Sequence, residues 1–388
     1  MNYIVISPYY PQNFQQFTIE LANKGITVLG IGQEPYEQLD EPLRNSLTEY
    51  FRVENLENLD EVKRAVAFLF YKHGPIDRIE SHNEYWLELD AALREQFNVF
   101  GAKPKDLKKT KFKSEMKKLF KKAGVPVVPG AVVKAEKDID KAVKKIGLPL
   151  IAKPDNGVGA AATFKLETPE DVDHFKAEWD GHTEYFFEKF VTSSEICTFD
   201  GLVDRDGNIV FSTTFDYAYT PLDLMLYKMD NSYYVLKEMD PKLRQYGEAI
   251  VKAFGMKERF FHIEFFRDGD DYIAIEYNNR PAGGFTIDVY NYAHSIDLYR
   301  GYAAIVAGEP FPASEFEPLY CLATSRRANA AYVLSEEEVL AKYRDQFRVK
   351  KDMPAAFAEL QGDYLYMLTT PSREELEQMI HDFGQRHQ

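Results

Sequence analysis

Glu264 and Glu276 stand twelve positions apart on two strand-like runs separated by Asp268-Gly269-Asp270-Asp271, and the second run continues into Asn278 and Arg280. Read with a period of two, the runs divide into two faces. Ile263, Phe265, Ile273, Ile275 and Tyr277 fall on one, which is a core face. His262, Glu264, Ala274, Glu276, Asn278 and Arg280 fall on the other. Two carboxylates, an amide and a guanidinium together suit a divalent cation carrying phosphates. Hard oxygen donors of this kind fit Mg²⁺, with Mn²⁺ as its substitute, because Mg²⁺ keeps several waters and shares its shell with substrate phosphates. Residues directly opposite in a hairpin share a face, so the two glutamates meet only if the connecting loop is odd in length. Three residues set them diagonally, with His262 opposite Glu276; five set them face to face. Gly269 supplies the positive φ that a bulged loop requires.

A scaffold must hold such a hairpin. Residues 1 to about 100 alternate strand and helix. The expected strands are Tyr3–Ile6, Ile26–Ile31 and Ile76–Ile79; the expected helices run from about Gln12 to Lys24, Asp60 to Lys72 and Glu84 to Phe97. Short connections of this kind predict an open parallel α/β sheet with right-handed crossovers. The first turn, Ser7-Pro8-Tyr9-Tyr10-Pro11, lacks the glycine fingerprint of a dinucleotide site. Lys105 to Ala123 reads as one lysine-rich helix stopped by Gly124. A strand (Gly130–Val133), a helix (Asp138–Ile146) and the strand Leu148–Lys153 follow. Thr168-Pro169 opens another helix, and the chain turns strand-rich from about Tyr185. Ser335-x-x-Glu338 and Ser372-x-x-Glu375 are capping boxes that start two late helices.

Bulk properties exclude several classes. A net charge of −15 over 388 residues leaves no basic stripe for nucleic acid. Most lysines between Lys103 and Lys122 read as a solvated helix face. No apolar run approaches membrane-spanning length, and Met1-Asn2-Tyr3-Ile4 enters a strand without the order of a signal peptide. Cys197 and Cys321 lack metal-ligand spacing and read as reduced, structural thiols, so the expected location is the cytoplasm.

A second chemical element lies upstream. Leu148-Pro149-Leu150-Ile151-Ala152-Lys153 is an apolar strand ending in a lysine, and it runs into Pro154-Asp155-Asn156-Gly157-Val158-Gly159-Ala160. Small residues let backbone N–H groups approach an anion, and Lys153 adds a point charge.

Taken in order, four pieces resemble the ATP-grasp superfamily, above all its carboxylate–amine (L-amino acid) ligase branch. They are K-F-K-S-E-M-K-K-L-F-K-K-A-G-V-P-V-V-P, I-A-K-P-D-N-G-V-G-A, F-F-E-K-F-V-T-S-S-E, and H-I-E-F with I-E-Y-N-N-R-P-A-G-G. The resemblance covers nearly the whole chain. It implies an α/β (α+β) fold with an N-terminal open parallel domain over 1–102, a lid and central subdomain over 103–192, and a strand-rich C-terminal lobe over 193–388 that carries a small terminal extension from about 315. Lys113 and Lys153 match the two ATP lysines, and Gly157 and Gly159 the closing loop. Glu188, Lys189 and Val191 match the strand that receives adenine, and Glu195 the acid on the ribose. Glu264, Glu276 and Asn278 match the magnesium ligands, and Arg280 the arginine that steadies the transferred phosphoryl group.

Two departures stand out: Phe112 replaces the aspartate that many relatives carry before the first lysine, and the loop has few glycines. The implied reaction activates a carboxylate as an acyl-phosphate and couples it to an amine, with ADP and phosphate released and a homodimer compatible with the chain. The alternatives are a bicarbonate-dependent carboxylase or carbamoyl-phosphate chemistry, a purine-pathway ligation, and a catalytically silent nucleotide sensor. Tyr217, Tyr219, Tyr227, Tyr233 and Tyr234, with Asp216, Asp223 and Asp230, make 213–239 a candidate substrate loop or a surface insertion packed on its sheet. Arg326-Arg327 is a candidate for a substrate carboxylate or a solvated pair.

Overall fold

Tyr3 to Ile6 are buried on both faces, which is what a parallel strand needs. They lie in β1 (Asn2–Ile6), which pairs in parallel with β2 (Thr27–Gly32) and β4 (Arg78–Glu80); β3 (Glu49–Arg52) joins β2, giving the order β3-β2-β1-β4. Helices Gln15–Asn23 and Leu59–His73 make two of the crossovers. The computed structural model describes residues 1–156, 162–192, 195–219, 229–354, 358 and 361–387.

A second sheet follows, antiparallel, with β5 (Gly130–Val133), β6 (Leu150–Pro154), β7 (Phe164–Leu166) and β8 (Tyr185–Lys189) in the order β5-β8-β6-β7. Helices Glu136–Ile146 and Pro169–Glu178 pack Ile139, Ala142, Val172 and Phe175 on Leu150, Ala152 and Phe187. The remaining strands form one large antiparallel sheet. They are β9 (Ile196–Val203), β10 (Ile209–Thr213), β11 (Phe215–Tyr217), β12 (Ser232–Val235), β13 (Arg259–Asp268), β14 (Asp271–Asn278), β15 (Tyr320–Arg326), β16 (Phe347–Asp352) and β17 (Tyr364–Thr370). Their order is β14-β13-β9-β11-β12-β15-β17-β16, with β10 paired to β9.

The expected single helix from Lys105 to Ala123 is two, Pro104–Lys111 and Lys113–Lys122, because Phe112 takes an extended conformation between them. That break makes Lys113 the first residue of a helix rather than a mid-helix side chain. Both serine caps form, but only Ser335 completes its box. Glu375 bonds to Thr370 and Gln346 instead. Helices Pro241–Phe254, Thr286–His294 and Leu298–Val306, for which the sequence pattern raised no expectation, back the large sheet. Gly247 in the first of them lets Phe199 lie against the backbone, where a Cβ would sit 2.2 Å from that ring.

Charged residues join the N-terminal unit to the large sheet. Arg259 donates two bonds to Glu80, at 2.7 and 2.8 Å, and Arg94 adds a third at 2.9 Å. Arg78 pairs in the same way with Glu258. Burial alone would raise the Glu80 carboxyl; Arg259 and Arg94 outweigh it and hold Glu80 far below the usual carboxylate range. Buried charges persist only when paired and hydrogen-bonded, so the alignment of these two units is specified by chemistry as well as by packing.

Candidate active site

The hairpin β13–β14 brings Glu264 directly opposite Glu276, and His262 opposite Asn278. The route differs from the parity argument. The turn is even, Gly269-Asp270 between paired Asp268 and Asp271, with Gly269 at φ +59°. Parity is restored by an extra residue, Ile275, which falls between Ala274 (paired to Phe265) and Glu276. This bulge has a local cause: the Ala274 N–H donates to Pro126 O at 2.9 Å, and Ala274 O accepts from Lys117 Nζ at 2.9 Å. Both backbone groups are thus satisfied by the helix beside the strand and the segment after it rather than by the ladder. It also corrects the face assignment. Tyr272 and Ala274 are buried with Phe265 and Ile263, whereas Ile273 and Ile275 are only half-buried.

Like charges directly opposite in a sheet destabilise it unless cations answer them. Here they do. The Glu264 and Glu276 side chains are 23% and 28% exposed, which leaves an open side for a ligand. Lys113 Nζ lies 3.9 Å from Glu276, and His262 Nε2 lies 3.3 Å from Glu264. His262 Nδ1 bonds to Asp200 at 2.6 Å, and Asp200 also accepts from Tyr290 at 2.7 Å and from Thr198. Burial lowers the imidazole, but the carboxylates of Asp200 and Glu264 carry its pKa up to about 9. For Glu264, burial raises and His262 lowers, and the net direction is down. Two carboxylates and an amide on one face of the hairpin are hard oxygen donors of the kind that would suit Mg²⁺.

The lysines converge on the second sheet. Lys153, at the end of β6, ion-pairs with Glu188 on β8, and Lys117 Nζ lies 3.3 Å from the same carboxylate. Burial would raise Glu188; Lys117 and Lys153 overcome it and hold its pKa at about 2. Glu188 therefore stabilises the fold when ionised: its contribution is whole above about pH 5 and is lost as pH falls toward 2. Urea denaturation across that window should show Glu188→Gln less stable than wild type at neutral pH and nearly flat where wild type declines; parallel pH slopes would refute the clamp. Burial depresses the Lys113 amine, with Glu276 opposing. The Phe112 departure is answered from across the site. Asp155 accepts from Ser114 N at 2.7 Å and Ser114 Oγ at 2.6 Å, and its carbonyl accepts from Lys113 N at 3.0 Å. Asp155 thus supplies the cap at the start of the Lys113 helix that residue 112 cannot.

Other candidates are more peripheral. Lys189 turns its ammonium to Leu148 O at 3.0 Å, and Val191 is half-buried just beyond β8. Glu195 is exposed and lies 3.4 Å from Arg267. Gly157 and Gly159 lie outside the described residues, as do Asp223 and Tyr227. Within 213–239, Tyr233 and Tyr234 are buried strand residues, Asp216 is engaged by Arg267, and Asp230 by Tyr332 and Arg386. Tyr217 feels the same acids: after burial, Glu264 and Asp200 raise its hydroxyl pKa further. Arg326 is buried and donates to Phe383 O and Asp382 O, ending the last helix rather than facing a substrate. Arg280 Nε donates to Glu84 Oε2 at 3.1 Å, and Nη1 to Pro281 O at 2.8 Å. Sequence reasoning missed Glu84, Lys117, Asp155 and Asp200. Only Lys117 carried a local signal, four residues after Lys113 on one helix face.

Known proteins resemble this chain over part of its sequence and in its fold. Residues 146–288 match the family model of the ATP-grasp domain. The L-arginine-specific L-amino acid ligase of Bacillus subtilis is 26% identical over 258 residues, 62% of this chain and 62% of that protein, so the match spans less than two thirds of the relative's length. The 2-oxoglutarate carboxylase small subunit of Hydrogenobacter thermophilus is 26% identical over 150 residues, 36% of this chain and 31% of that protein. The crystal structure of L-amino acid ligase from Bacillus licheniformis superposes with a TM-score of 0.71 at 14% identity, covering 98% of this chain and 97% of that one. Residues 146–288 thus resemble an ATP-grasp domain, and the chain as a whole shares the fold of the L-amino acid ligase structure.

Proposed function

We propose that the protein is an ATP-dependent ligase that joins a carboxylate to an amine. The observation that carries the reading is the face-to-face pair Glu264–Glu276, set between Lys113 and His262, with Arg280 two residues past the end of β14. In this reading Lys113 and Lys153 neutralise the α- and β-phosphates, and the strand from Glu188 to Val191 receives adenine while Glu195 holds the ribose. Glu264, Glu276 and Asn278 would hold Mg²⁺, which would offset the charge that develops on the phosphates in transfer. A carboxylate is a poor electrophile. Its oxygen attacks the γ-phosphorus, the bond to the ADP oxygen breaks, and an acyl-phosphate results. The amine nitrogen then attacks the acyl carbon, loses a proton, and phosphate leaves. Most of the protein's work is placement and charge neutralisation. Arg280 suits the transferred group because a guanidinium grips two oxygens at once.

The substrates proposed are small carboxylates and amines, amino acids first, in a cytoplasmic setting; the two buried, free cysteines fit a reducing compartment, and no helix among the described residues is long and apolar enough to cross a membrane. Phosphate release from ATP, measured against a matrix of amino acids and other carboxylates with and without bicarbonate, tests the reading. Release that needs both a carboxylate and an amine supports it. Release that needs bicarbonate instead would move the protein to the carboxylase reading, and nucleotide binding without any release would leave the silent sensor.

A further inference from the structure

Arg280 carries five N–H groups, and two are already spent. Nε points at Glu84 and one Nη1 hydrogen at the Pro281 carbonyl. The three that remain, one on Nη1 and two on Nη2, form the far edge of the guanidinium. Neither partner of the ion pair is far into solvent: the Arg280 and Glu84 side chains are 20% and 16% exposed. We propose that Glu84 is a positioning residue for Arg280, holding the guanidinium plane so that this far edge faces the phosphoryl group in transfer. For the reaction, the inference rests on the ligase reading above; for the geometry, it rests on Glu84 and Arg280 alone.

Glu84 is itself held on a fixed base. It opens the short 3₁₀ turn Glu84–Trp86 just past the carboxyl end of β4, where open α/β sheets gather their ligand-facing loops. Asn83 Oδ1 caps that turn by accepting from Tyr85 N at 3.0 Å. Asn83 N in turn donates to Ser81 Oγ at 3.2 Å, and Ser81 is tied to buried Asp90 by its hydroxyl at 2.7 Å and its N–H at 3.1 Å. The other end of the arrangement is fixed through the same segment. Arg259, which bonds twice to Glu80, also donates from Nε to Asn279 O at 2.9 Å. Asn279 precedes Arg280. Residues 80 to 84 of the N-terminal unit thus anchor both the backbone and the side chain of an arginine far downstream. A surface ion pair would be worth little, but a part-buried one between rigid elements fixes direction. The N-terminal sheet contributes an orienting carboxylate to a site otherwise built by the other two sheets.

The test compares Glu84→Ala, Glu84→Gln, Arg280→Ala and the double variant Glu84→Ala/Arg280→Ala, using phosphate release from ATP and Mg²⁺ with the twenty amino acids as probe, together with ADP affinity. Glu84→Ala should lower kcat by about 10- to 100-fold while ADP affinity stays within about twofold. Glu84→Gln should recover most of that loss, since the amide oxygen still accepts from Nε. On the Arg280→Ala background, Glu84→Ala should cost nothing more, because it has lost the group it orients. Equal losses in Glu84→Ala and Glu84→Gln with ADP affinity falling in step, or full additivity with Arg280→Ala, would overturn the proposal in favour of a merely structural ion pair. If wild type releases no phosphate with any amino acid, the reading of amino acids as the substrates fails by itself. The ¹⁵Nε–¹H resonance of Arg280, identified by its loss in Arg280→Lys, then decides the geometry: it shifts in Glu84→Ala if the pair exists, and an unmoved signal sinks it.

Discussion

Arg280→Lys is expected to lower turnover by about 10²- to 10³-fold with ADP affinity nearly unchanged, because the charge is kept and the two-pronged geometry is lost. A lysine ammonium at this position has no planar edge and no Nε to engage Glu84, so it reaches a phosphoryl oxygen only as a mobile point charge. In the proposed reading the nucleotide's own contacts lie elsewhere, on Lys113, Lys153 and the strand from Glu188. Steady-state phosphate release alongside an ADP titration separates the two quantities. A variant that loses affinity and turnover by the same factor would place Arg280 in ground-state binding instead.

Glu276→Gln should be at least as damaging. The two opposed carboxylates are tolerated because Lys113 and His262 stand beside them, and the proposed divalent cation would sit on the open side of the pair. Replacing one by an amide removes a charged oxygen donor and the negative charge that faces Lys113. A metal in this role contributes several kcal/mol to the charge-developing step, so a loss of roughly 10³-fold in turnover is expected. Mg²⁺ titration read by binding of a fluorescent ADP analogue supplies the second measure: the apparent metal affinity should weaken. The isosteric change should leave the fold intact, and unchanged metal dependence would remove Glu276 from the site.

How much of this was readable beforehand depends on distance along the chain. Period-two alternation over 259–278 revealed the hairpin, and the residue types on it are the ground for the proposed metal site. The register was another matter. Parity counting placed the surplus residue in the turn, yet it sits at Ile275, since Pro126 and Lys117 draw away the Ala274 backbone groups from far upstream. Face assignments for Ile273 and Ala274 failed for the same reason. Lys113 was found, but its setting was not: the helix breaks at Phe112, and the cap comes from Asp155. Glu84 and Asp200 carry no local pattern at all. Their roles arise only when β4 and β9 are laid beside the hairpin, and nothing in single-residue spacing encodes that. The lysine-rich stretch shows the opposite error. Most of its charges are solvated as expected, while Lys117 is buried between a carboxylate and a carbonyl.

The surplus residue at Ile275 has an outcome for how this hairpin tolerates change. With the bulge setting the parity close to the acids, the exposed tip from Asp268 to Asp271 is relieved of that duty. Lengthening the tip by pairs of residues would preserve the opposition of Glu264 and Glu276, whereas one further residue inserted between Ile275 and Glu276 would move Glu276 out of register and onto the apolar face. The loop end is thus a permissive place to graft a label or epitope, and the strand only a few residues away is among the least permissive in the molecule.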